Sequence, residues 1–85
     1  MELVIEKAAL KALRAMQSKV ATAMLARLEA VAAAPLANHA NVKPLTGQKD
    51  AFRLRQGDWR AVYIIDRKTQ RMHVLKIETR GGVYK

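Results

Sequence analysis

Hydrophobic spacing changes period once along this chain, and that change limits the fold more than any single motif does. In the first part, "MELVIEKAALKALRAMQSKVATAMLARLEAVAAAPLA", apolar residues recur every three to four positions: Leu10, Leu13 and Met16, then Val20, Met24, Leu28 and Val31. Lys7, Lys11, Arg14, Lys19, Arg27 and Glu29 fall mostly between them. That is the pattern of amphipathic helices. Gln17-Ser18 interrupts it, and Ser18 carries a capping side chain, so the spacing predicts two helices packed as an antiparallel pair. Pro35 ends the second helix. Leu3, Val4 and Ile5 suit a short opening strand.

The period then becomes two. "NHANVKPLTGQKD" reads as a loop, with Asn, Pro, Thr and Gly supplying turn chemistry. Beyond it Phe52 and Leu54 alternate with Arg53 and Arg55, and Gln56-Gly57-Asp58 turns the chain. Trp59 to Asp66 is a second strand, Asp66 to Gln70 a second turn, and Arg71 to Thr79 a third strand. Successive side chains of a strand take opposite faces. One face collects Phe52, Leu54, Ala61, Tyr63, Ile65, Leu75 and Ile77, which should pack on the helices. The other collects Arg53, Arg55, Arg60, Val62, Lys76, Glu78 and Arg80. The expectation is an α+β fold, two N-terminal helices on a small antiparallel sheet, forming one domain over residues 1–85.

Charge narrows the partners. Sixteen Lys/Arg against seven Asp/Glu give a net charge of +9, which attracts polyanions at long range: nucleic acid, an acidic membrane or an acidic protein. Cysteine is absent, which favours a reducing cytoplasm and excludes a thiol nucleophile or a Cys-based zinc site. No apolar run reaches the roughly 18 residues of a membrane helix. "MELVIEKAAL" lacks a charged segment followed by an apolar one, so no secretory signal is expected. The exposed face of a one-sided sheet is normally polar, which accounts for any single arginine here. Five cations with one nearby acid, Glu78, are another matter, because like charges opposite each other on strands are destabilising. Such a concentrated field is the footprint of phosphate binding. Lys43 and Lys49 flank this face and suit contacts to a phosphate backbone. His73 reads as a packed or edge histidine, and His39 has no second ligand at metal spacing.

The stretch "LTGQKDAFRLRQGDWRAVYIID", followed by "VLKIETRGGVYK", resembles the RelE/ParE superfamily of bacterial toxins from toxin–antitoxin pairs. The elements that carry the resemblance are Leu45 and Gly47, Phe52 to Arg55, Gly57 to Arg60 with Tyr63, and Arg80 with Tyr84. The resemblance implies the helix–helix–sheet fold and one of two activities. RelE-like members cleave mRNA in the ribosomal A site; ParE-like members poison DNA gyrase without being nucleases. Both are neutralised by an antitoxin that wraps the toxin. By position, Arg53 and Arg55 take the family's basic pair, Arg60 its phosphate-holding arginine, Arg80 the arginine of the closing motif and Tyr84 the aromatic near its end. Lys43, Lys49 and Lys76 would add RNA contacts.

Some active members have lysine where this chain has Arg53 and Arg55, and arginine does not give up its proton. Thr79 stands where a histidine is often found, and Gly82 where an acid is. The general base therefore stays open among Glu78, Lys76 and Tyr84. The resulting expectation is a cytoplasmic toxin that cleaves mRNA on the ribosome by 2′-hydroxyl attack, without metal or cofactor, and is neutralised by an acidic helical antitoxin. The alternatives are a gyrase inhibitor that works by binding alone, and a degenerate member that retains antitoxin binding only.

Overall fold

A computed structural model describes residues 1–79. The elements run β1 (Glu2–Ile5), α1 (Lys7–Ala15), α2 (Ser18–Ala33), β2 (Val42–Pro44), β3 (Ala51–Gln56), β4 (Trp59–Asp66) and β5 (Arg71–Thr79). The fold is α+β, with two helices on a five-stranded sheet of order β1-β5-β4-β3-β2. β1 runs parallel to β5, and the other pairings are antiparallel. The sheet is therefore mixed, not purely antiparallel as expected, and it has five strands where three, or four with the short opening one, were expected. β2 arises inside the segment read as a loop; it is a three-residue edge strand, and Pro44 is tolerated because an edge leaves one row of hydrogen bonds unused.

The inner face of the sheet and the helices enclose the core. Leu54, Ala61, Tyr63, Ile65, Met72, Val74 and Ile77 meet Ala9, Ala12 and Met16 of the first helical segment and Met24, Leu28, Val31 and Ala32 of α2. The α2 spacing read from the sequence is thus the buried stripe, with Val20 packed at its border. On α1 the stripe is displaced. Ala9 and Ala12 are buried while Leu10 is 39% exposed and Leu13 packs at the side. α1 packs on β5, and alanine at the contact lets helix and sheet approach closely, which a leucine would prevent. Ser18 is the first helical residue rather than the cap; Gln17 holds the cap position, without a side-chain hydrogen bond to the helix.

A second displacement comes from an irregularity in the β4–β5 ladder. Val62 pairs with Lys76 but Tyr63 pairs with Val74, so Leu75 is an extra residue on β5. From this bulge back to the strand start the parity reverses. Met72 and Val74 fill the core, and Leu75, expected there, points away from it. His73 shares the outer parity with Leu75, and its Nδ1 lies 2.8 Å from Glu6 Oε2, which ties the start of α1 to the middle of β5.

Tight turns fix the remaining register. Gly57, at φ +60°, takes the first central position of the two-residue β3–β4 turn, which excludes most side chains. In the β4–β5 turn, Asp66 Oδ1 accepts the backbone N–H groups of Lys68 and Thr69. Hydrogen bonds from Thr69, and then from Lys68, hold the Asp66 carboxyl below the ordinary range. Among the described residues no helix is long and apolar enough to cross a membrane.

Candidate phosphate-binding site

Cross-strand registry assembles the outer face in two rows. Lys43, Arg53, Val62 and Lys76 lie side by side across β2, β3, β4 and β5. Arg55, Arg60 and Glu78 form the next row across β3, β4 and β5. Arg55 and Arg60 are direct partners, the pairing that like charges disfavour. Among the described residues no ion pair or side-chain hydrogen bond engages Lys43, Arg53, Arg55 or Arg60. Of the acids elsewhere, Asp50 takes a two-pronged contact from Arg67, Glu2 pairs with Arg71, and Glu6 with His73.

Two adjoining hollows open on this face. The smaller, about 110 Å³, is lined by Asn41, Lys43, Arg53, Arg55 and Arg60. The larger, about 390 Å³, shares Arg53 and Arg60 with it and adds Leu45, Gln48, Val62, Leu75, Lys76 and Glu78. The fold thus brings together Lys43, Arg53, Arg55, Arg60 and Lys76 of the residues singled out in the sequence. Lys49 lies apart, in a depression with Asp50 and Ile64 to Lys68. Arg80 and Tyr84 lie outside the described residues. Asn41 was not foreseen. Its carbonyl accepts the Arg55 N–H at 2.9 Å, and its φ of +63° is one that asparagine tolerates well; an Asn before an edge strand is the only sequence signal for it.

The electrostatics divide cleanly between the faces. Lys76 Nζ and Glu78 Oε1 are 3.6 Å apart, both half-exposed, so the one carboxylate lining either hollow among the described residues sits among cations. On the inner face Tyr63 is 1% exposed and stacks on Phe52 with ring centroids 5.4 Å apart. Burial pushes the Tyr63 hydroxyl up to about 12, so it stays neutral and belongs to the core rather than the cationic surface.

Residues 3–84 match the family of ParE toxins of type II toxin–antitoxin systems, parDE. The chain belongs to the RelE/ParE superfamily of type II toxins. Solved structures agree on the fold of this toxin. The archaeal RelE–RelB complex from Pyrococcus horikoshii superposes with a TM-score of 0.81 at 26% identity, covering 94% of this chain and 94% of that one. The isolated Escherichia coli RelE toxin gives 0.80 at 23% identity, covering 93% and 83%. A YoeB/ParE toxin from Agrobacterium tumefaciens gives 0.77 at 18%, covering 94% and 99%. No curated protein matches the sequence.

Proposed function

We propose that this toxin is a ribosome-dependent endoribonuclease that cleaves mRNA and is held inactive by an acidic, helical antitoxin. One observation carries the reading: Arg53, Arg55 and Arg60 surround a single polar hollow with Lys43, and no carboxylate pairs with any of them among the described residues. A protein folded for stability alone would not oppose Arg55 to Arg60.

The reaction that suits such a hollow is attack of a ribose 2′-oxygen on the adjacent phosphorus. The bond to the 5′-oxygen breaks, leaving a 2′,3′-cyclic phosphate and a 5′-hydroxyl. Negative charge gathers on the non-bridging oxygens as the phosphorane forms, and preorganised guanidinium groups stabilise it there more than in the ground state. Arginine keeps its proton, so Arg53, Arg55 and Arg60 clamp and do not act as bases. Glu78, opposite Arg60 in the ladder, is the acceptor available for the 2′ proton. Lys76 beside it and Lys43 across the hollow hold flanking phosphates. Arg80 and Tyr84 follow the family pattern as a further cation and a base-stacking or proton-passing aromatic. The antitoxin partner is supported by the RelE of P. horikoshii having been solved with RelB, and by the net charge of +9, which an acidic chain would offset.

The match to the ParE family favours a second reading, gyrase inhibition by binding alone. Induction of the toxin in bacteria, followed by mapping of mRNA ends, separates the two. Codon-phased cuts in translated messages are the expected result. Intact messages with double-strand DNA breaks would establish the gyrase reading instead.

A further inference from the structure

The bulge on β5 leaves an apolar floor beside a cationic wall. Leu75 is 38% exposed, whereas Met72, Val74 and Ile77 on the same strand are buried. A regular ladder would give Leu75 a partner on β4; here Val62 and Tyr63 pair with Lys76 and Val74 on either side of it. Bulges re-aim side chains, and they are frequent beside functional sites. This one turns a leucine onto the arginine face, next to Val62, in the larger hollow. Leu45 adds a third apolar side chain and Gln48 a polar one.

The two hollows differ in character and share Arg53 and Arg60. The smaller is polar and cationic. The larger has apolar surface at its floor. A nucleotide has the same two parts: a charged phosphate, and a base with apolar faces and a hydrogen-bonding edge. We propose that the larger hollow is a nucleobase subsite. A phosphate lies between Arg53 and Arg60, its base packs on Leu75 and Val62, and the Gln48 amide faces the base edge. That amide can donate or accept, so the subsite holds a base without strong selection among bases. The inference rests on the RNA reading above and assigns it a base-holding surface.

The test is equilibrium binding of a short 2′-O-methyl oligoribonucleotide, which cannot be cleaved, and of the same backbone made abasic. The toxin should bind the base-bearing strand about tenfold more tightly, from the apolar area covered. Leu75→Ser should lose most of that advantage while binding the abasic strand unchanged, and Leu75→Met should keep it. Arg60→Ala should weaken both strands alike. Equal affinity of the unaltered toxin for the two strands, or a full advantage in Leu75→Ser, overturns the subsite and leaves the phosphate grip standing. Failure to bind either strand overturns the subsite, while the RNA reading itself stands or falls separately on cleavage of mRNA by the toxin on ribosomes.

Discussion

Leu54 lies between Arg53 and Arg55 on one strand, yet Leu54 is fully buried and both arginines are exposed. The inner face that Leu54 joins is organised by shape: alanine where α1 comes close, leucine and methionine where α2 leaves room, a Phe52–Tyr63 stack at the flank. The outer face is organised by charge and spends stability to do so, with Arg55 against Arg60 and, among the described residues, no carboxylate in ion-pair contact with either. A substitution on the inner face should therefore cost folding, and one on the outer face should cost activity and leave folding intact or improved.

The largest effect should come from Tyr63→Ala, which empties a buried aromatic site and should lower stability by about 4 kcal/mol in denaturant unfolding. A loss below about 1 kcal/mol would mean that the inner face is not close-packed around it. Next, Arg60→Ala should reduce mRNA cleavage about 100-fold, the cost of removing one transition-state donor, with an unfolding midpoint unchanged or slightly raised. A variant that unfolds would place Arg60 in the structural half of the comparison. Third, Gly57→Ala should cost about 1 kcal/mol, because alanine is strained at positive φ although space is open there. The smallest effect should be a gain. Arg55→Gln should raise stability by about 0.5 kcal/mol by removing the cross-strand repulsion.

The inner face also has a pH signature. The Tyr63 hydroxyl sits above its ordinary value of 10.0, at about 12, so the folded protein favours the neutral form. Its contribution to stability is complete below pH about 10 and is lost as pH rises towards 12. A phenolate absorbance titration of the Tyr84→Phe variant should give one late transition, and Tyr63→Phe should flatten that limb of the stability profile.

Much of this was legible in the chain itself. The change of period separates helices from sheet, and the alternation around Leu54 assigns Arg53, Arg55 and Arg60 to one face before any coordinates. Three things were not legible, each for a physical reason. Periodicity favours large apolar residues, so it put Leu10 on the buried stripe of α1, where the close contact with β5 needs Ala9 and Ala12. A ladder irregularity has no signature in one strand alone, so Leu75 was assigned to the core. β2 and the pairing of β1 depend on partners distant in sequence: Leu3 to Ile5 read as a strand but not as one parallel to β5, and Pro44 reads as a loop until Phe52 is set beside it.

The central claim is that the outer face acts on RNA as a cationic clamp. Its most direct test is purified toxin mixed with ribosomes stalled on a defined message, with the cleaved ends identified chemically. The account predicts a cut at the codon in the A site, leaving a 2′,3′-cyclic phosphate, and its loss in a folded Arg53→Ala/Arg60→Ala double variant. Cleavage undiminished in that variant, or no cleavage by the unaltered toxin, would contradict it.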